Sequence, residues 1–186
     1  MKVVDTALSG VKLIEPRVFG DDRGFFLESW NSRTFTEAGL DLNFVQDNHS
    51  RSARHVLRGL HYQLDEPQGK LVRVTIGRVL DVAVDLRRSS PSFGRWAGFE
   101  LSADNKRMLW VPPGFAHGFV VTGDDALFSY KCTEYYSPAT ELTLLWDDPA
   151  LGIDWQTASP TLSDKDKKGV RLADIPRERL PLYQKA

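Results

Sequence analysis

The chain has 186 residues, enough for one sizeable hydrophobic core and hardly enough for two. Lys and Arg number 24 against 25 Asp and Glu, a net charge of −1, so bulk charge offers no field to attract nucleic acid. Cys132 is the one cysteine, which excludes an intrachain disulfide framework and fits a reducing cytoplasm, while Met1 to Gly10 lacks the apolar run of a secretory leader and no apolar stretch is long enough to span a bilayer.

In chain order, Ser32 to Ala38 predicts a short helix, with Ser32 or Thr34 able to cap it and Gly39 to stop it. Arg51 to His55 is polar and reads as a solvated loop. Leu57 to Gln63 is a predicted strand in which charge, glycine and aromatic residues crowd together. Lys70 to Ile76 is β-branched and reaches a turn signal at Gly77-Arg78; Val79 to Leu86 follows, small and branched residues alternating with Asp81 and Asp85, so these read as two consecutive strands. Arg107–Val111 and Gly118–Thr122 are separated by Pro112-Pro-Gly114, and Ala126–Thr133 and Leu142–Trp146 complete the set. Short strands punctuated by Gly, Pro, Asn and Asp predict an all-β antiparallel sandwich or barrel with a few short helices. A second short helix is expected near Ser163, with Asp164 and Asp166 in its first turn. A single domain is expected over 1–186, its end at 175–186 a loosely packed tail rich in proline and charge.

A histidine in a strand-rich domain is more often a hydrogen-bonded structural residue than a base, and His55 fits that role. His61 differs, because interior positions of a small barrel are where ligand cavities form, and its neighbours include Arg58. Pro112-Pro-Gly-Phe-Ala-His117 resembles the second motif of the cupin superfamily, a double-sheet jelly roll. The first cupin motif supplies metal ligands through two histidines one residue apart and a glutamate. Here the stretch reads His61-Tyr-Gln63, and an amide oxygen is a poor transition-metal ligand. No catalytic metal is expected, and a histidine free of metal can act as a base near neutral pH.

The blocks Phe19–Ser29, Phe44–Ser50, Arg58–Gln63, Gln68–Arg73, Asp81–Arg87, Trp110–Phe119, Tyr130–Pro138 and Leu162–Asp166 resemble, in order, those of the dTDP-4-dehydrorhamnose 3,5-epimerases. The resemblance implies a cupin-like jelly roll and a dTDP-4-keto-6-deoxy sugar substrate, with no redox cofactor. Protons at C3 and C5 are acidic because loss of either gives an enolate delocalised onto the C4 oxygen. The resemblance makes His61 the base, Asp166 the group that orients it, Lys70 the stabiliser of the enolate oxygen and Tyr130 the acid on the opposite face. It makes Arg23, Arg58 and Lys165 cations for the diphosphate region. It places Glu28, Gln46 and Asn48 around the nucleoside, Tyr136 against thymine, Glu141 at a further contact and His117 at the sugar–phosphate end.

It also implies a homodimer, with Phe26 and the arm around it reaching the neighbouring subunit's site. The family's usual Trp-Asn-Asp reads Trp146-Asp-Asp148 here, which adds a charge. Three other readings compete. A relative that inverts only C3 or C5 would use the same base. A silent sugar-binding cupin would have no need of His61, Lys70 and Tyr130 together. A metal-dependent cupin is disfavoured by Gln63.

Overall fold

Two long strands run through the middle of the fold, and each bends once. The computed structural model describes residues 1–183. Its strands are β1 (Lys2–Asp5), β2 (Lys12–Glu15), β3 (Val18–Asp21), β4 (Gly24–Leu27), β5 (Gln46–Ala53), β6 (Leu57–Gln63), β7 (Lys70–Asp85), β8 (Trp96–Ser102), β9 (Met108–Val111), β10 (Phe115–Cys132) and β11 (Glu141–Thr143). The helices are α1 (Ser32–Glu37) and α2 (Asp164–Lys167), followed by 3₁₀ turns at Leu172–Asp174 and Arg177–Arg179. The pairings are all antiparallel, apart from isolated bridges, and the all-β jelly roll expected from the sequence is the architecture found. Among the described residues no helix is long and apolar enough to cross a membrane.

The two strands expected on either side of Gly77 are one. Gly77 takes φ 74° and bends β7 instead of ending it. Opposite the bend, the register of β10 against β7 shifts between Val121 and Ala126. The first half of β7 pairs with β9, Lys70 to Val111 through Arg73 to Met108; the second half pairs with β8, Arg78 to Ser102 through Val84 to Trp96. Likewise β10 pairs with β6 before its bend and with β5 after it. Two sheets thus share two strands and fold over one core. Val72 and Val74 from the first half of β7 meet Val79 and Ala83 from the second, with Phe115, Phe119 and Phe128 of β10. Even positions point inward before Gly77 and odd ones after it, because the bend changes the alternation of a pleated strand.

The outer faces are covered as well. Leu80, Val82 and Val84 pack with Leu57, Leu144, Trp155 and Leu180, while Leu71 packs with Ile14, Phe35 and Trp110 beneath α1. Each such aliphatic side chain contributes about 1.5–3 kcal/mol on burial. A methyl group at Gly77 would lie 1.8 Å from the Asp125 carbonyl oxygen. Gly77→Ala is therefore expected to destabilise the fold by about 2 kcal/mol or more. Urea denaturation measures this, and a midpoint equal to the parent's would mean that the bend accepts a side chain.

Three expectations need correction. Arg51 to Ala53 belong to β5, and only Arg54 and His55 form a turn. The strand was hidden because its inward residues, Asn48, Ser50 and Ser52, are polar, which removes the apolar alternation. The last predicted strand covers only Glu141–Thr143. The segment after Ile175 is not loose over 175–183. Leu180 is buried, Arg88 N–H donates to the Pro181 carbonyl at 2.8 Å, and Tyr183 N–H donates to the Arg88 carbonyl at 3.1 Å. The remainder of that expectation, 184–186, lies outside the described residues.

Candidate active site

At one end of the core the inward positions turn from apolar to polar and line a cavity of about 520 Å³. β5 supplies Asn48 and Ser50, β7 supplies Lys70, and β10 supplies His117, Phe128 and Tyr130. β6 supplies both Arg58 and His61, three residues apart, although neighbouring side chains on a regular strand alternate between faces. A bulge accounts for this. Arg58 is opposite Phe119 and His61 opposite His117, so β6 spends one extra residue against β10. Glycine on both strands lets them approach there: a methyl group on Gly118 would lie 2.6 Å from the Arg58 carbonyl oxygen. Tyr136, Glu141, Lys165 and Asp166 close the mouth.

His61 Nε2 lies 2.6 Å from Asp166 Oδ1. Ser163 caps α2, accepting from the Asp166 N–H at 3.2 Å and donating its hydroxyl to Asp166 Oδ2 at 2.7 Å. Burial alone would raise the Asp166 pKa, but the hydrogen bonds from His61 and Ser163 outweigh it and the net shift is downward. The group is a carboxylate at neutral pH. A carboxylate partner keeps the hydrogen of neutral imidazole on Nε2, which leaves the lone pair on Nδ1.

Tyr130 and Lys70 come from the other sheet, so they enter the cavity from a different wall than His61. Burial pushes the Tyr130 hydroxyl up from its ordinary pKa. Burial also pulls the Lys70 ammonium down, against the opposing pull of Cys132, Glu141 and Asp81. Among the described residues Lys70 Nζ has no hydrogen-bond or ion-pair partner, which leaves a partly buried cation facing the cavity.

His117 Nε2 lies 2.9 and 3.0 Å from the two oxygens of Asp81, a fully buried carboxylate. Glu141 Oε2 accepts from Lys165 Nζ at 2.7 Å and from the Tyr136 hydroxyl at 2.9 Å. Tyr136 N–H donates to Gln46 Oε1 at 2.9 Å, and Gln46 Nε2 donates to Asn48 Oδ1 at 3.2 Å. Arg58 Nε donates to Ser52 Oγ at 3.0 Å.

Eleven of the fourteen sequence-predicted site residues thus line the cavity or, like Gln46, brace its mouth. Arg23, Phe26 and Glu28 do not. Arg23 pairs with Asp21 at the tip of the β3–β4 hairpin, Phe26 is 69% exposed, and Glu28 accepts from Asn31 and Thr34 at the start of α1.

Sequence reasoning passed over Asp81 and Ser163 as site residues. The available signal for Asp81 was an acid at an inward position of an otherwise apolar strand, where charge needs a partner. Gln63 does not face the cavity as a ligand. Its amide donates to the carbonyls of Glu66 and Tyr135 and accepts from the Ser137 N–H, which holds the loop after β10. Of the two acids in Trp146-Asp-Asp148, Asp147 is exposed, while buried Asp148 accepts from the N–H groups of Ala150 and Leu172.

Residues 5–174 match the family model described as dTDP-4-dehydrorhamnose 3,5-epimerase. The chain belongs to that family. It is therefore an isomerase, and it is 60% identical over 176 residues to the dTDP-4-dehydrorhamnose 3,5-epimerase of Pseudomonas aeruginosa, covering 94% of this chain and 97% of that one. It is 53% identical over 183 residues to the Escherichia coli K12 epimerase, covering 97% and 99%. Its fold superposes with a TM-score of 0.96 on the crystal structure of the dTDP-6-deoxy-D-glucose-3,5-epimerase from Legionella pneumophila in complex with dTDP-4-keto-L-rhamnose. That epimerase is 49% identical, with 99% of each chain covered.

Proposed function

We propose that the chain inverts C3 and C5 of dTDP-4-dehydro-6-deoxy-D-glucose to give dTDP-4-dehydro-L-rhamnose, in the formation of dTDP-L-rhamnose. The observation that carries this reading is the pairing of a His61–Asp166 dyad on one wall with Lys70 and Tyr130 on the other. His61 Nδ1 takes the proton at C3 or C5. The electron pair moves into the enolate, whose negative oxygen at C4 is met by the Lys70 ammonium. Tyr130 delivers a proton to the opposite face of the same carbon, and the configuration inverts. His117, held by Asp81, and Arg58 sit where the sugar joins the diphosphate, while Tyr136, Gln46 and Asn48 receive the nucleoside.

Incubation with the 4-keto sugar nucleotide in D₂O, followed by NMR, tests the reading. Deuterium is expected at both C3 and C5, with inversion at both. Label at one centre alone would mean a single-centre epimerase, and label at neither would refute the assignment. Tyr130→Phe should keep exchange on the side of His61 while net inversion falls, with a residual rate from solvent.

No metal takes part in this scheme. Each histidine in the cavity already engages a carboxylate, and the amide of Gln63 is saturated by backbone groups. Prolonged chelation is expected to leave turnover unchanged. Stoichiometric metal whose removal abolishes activity would contradict this.

Arg23, Phe26 and Glu28 act in a homodimer. The β3–β4 hairpin exposes Phe19, Phe25 and Phe26, an unusual run of apolar surface for a free arm. In a pair of copies the arm crosses to the other copy, where Arg23 meets the diphosphate and Phe26 covers the nucleoside. Light scattering at micromolar concentration should give the mass of two chains, and a monomeric mass would count against the arrangement.

A further inference from the structure

We propose that Glu141 carries the proton away from His61 between the two inversions, so that one bound substrate is processed at both centres. The inference rests on the function proposed above and adds a step to it. After the first inversion, the C–H electron pair has passed through the enolate and formed a new C–H bond. The abstracted proton stands on His61, and Tyr130 is a phenolate. The substrate still carries its second acidic C–H bond. Before that bond can break, His61 must lose its proton and Tyr130 must regain one. One proton leaves, one enters, no electrons are gained or lost, and solvent is both sink and source.

The surroundings of His61 favour one direction of exit. On the Nε2 side stands Asp166, at 2.6 Å, buried and with its other oxygen taken by Ser163. That side is closed. On the Nδ1 side stands Glu141, with Oε1 at 3.8 Å, so a small swing of either side chain makes the hydrogen bond.

The second oxygen of Glu141 is bonded to Tyr136 and Lys165, both half-exposed at the mouth of the cavity. Strand register sets this arrangement. Thr143 lies opposite His61 and Glu141 opposite Gln63, so the side chains of Glu141 and His61 share one face of the sheet, one diagonal step apart. The groups facing Glu141 are therefore His61, Tyr136 and Lys165, with Lys70 acting from across the cavity. Burial alone would raise its pKa, but Lys165, His61 and Tyr136 bring the net shift below the usual value, so it is an ionised acceptor beside the imidazolium. It reaches His61 at one end and solvent-exposed donors at the other.

Glu141→Gln keeps the shape and an acceptor for Lys165 and Tyr136 but cannot take up a proton. The test is an initial-rate incubation with saturating 4-keto sugar nucleotide in D₂O, quenched at early intervals and read by NMR. Both centres should slow, because the grip on the nucleotide changes. The ratio of singly to doubly labelled sugar should also rise about tenfold or more, with a singly inverted sugar released. Added imidazole, a mobile proton carrier, should restore double labelling. Equal slowing at the two centres, or no response to imidazole, would show that Glu141 only holds the nucleotide and would overturn the proposal. If the unaltered protein labels one centre alone, there is no second inversion, and the reading beneath the proposal fails with it.

Discussion

His61→Asn is expected to stop deuterium uptake at C3 and C5 alike. Both centres lie next to the same ketone, and the His61–Asp166 pair leaves a free lone pair on Nδ1 at the more open part of the cavity. His117, the other cavity histidine, spends its Nε2 on Asp81 and lies deeper, at 7% exposure. Asparagine cannot accept a proton from carbon, so neither enolate forms. A positioned base is worth about 10²–10⁴ in rate, and the loss should be at least that large. The same D₂O incubation measures it. The substitution should not unfold the chain, because Asp166 keeps Ser163 and its own place at the first turn of α2. A variant that folds, binds nucleotide and still exchanges like the parent would move the base elsewhere.

Lys70→Met should lower exchange at both centres together, by about 10²–10³, because both enolates place their charge on the C4 oxygen. It should also leave the protein at least as stable as before. Lys70 is a partly buried cation without a partner among the described residues, and burying such a charge costs stability. Methionine has the length to fill the space and asks nothing of it. Activity falling while the melting temperature holds or rises is the signature of a residue kept for chemistry at the expense of the fold. A parallel loss of both would mean that Lys70 serves packing, and an unequal loss at C3 and C5 would mean that it does not face the common oxygen.

Much of this was legible in the sequence, for identifiable reasons. The strands of β7 and β10 are branched and apolar because both of their faces are buried, and such runs are visible as strands even without alternation. Their continuity was not visible. Glycine at a turn and glycine at a bend look alike, and only the approach of the Asp125 carbonyl to Gly77 distinguishes them.

β5 was lost for the opposite reason, because its inward face serves the cavity instead of the core. The site separated along the same line. His61, Lys70, Tyr130 and Asp166 were found through the order of the family's blocks, since nothing local marks Tyr130 as more than a packed aromatic. Asp81 stands behind His117, 36 residues away in the chain, and Ser163 stands behind Asp166 as the cap of α2, and neither pairing is marked by the sequence alone. Arg23, Phe26 and Glu28 stand apart from the cavity, on the β3–β4 hairpin and just after it.

The bulge in β6 has a consequence for how such a chain can change over time. Arg58 and His61 share a cavity only because β6 holds two residues between them where β10 holds one between their partners. If the same residues paired without the bulge, plain alternation over a spacing of three would turn one of the two side chains out of the site, with every functional residue still present in the sequence. A substitution on β6 changes one side chain at a time, but a shift in its pairing with β10 alters the cavity at a stroke. Within this short stretch, the register is as much a part of the active site as the identity of the residues.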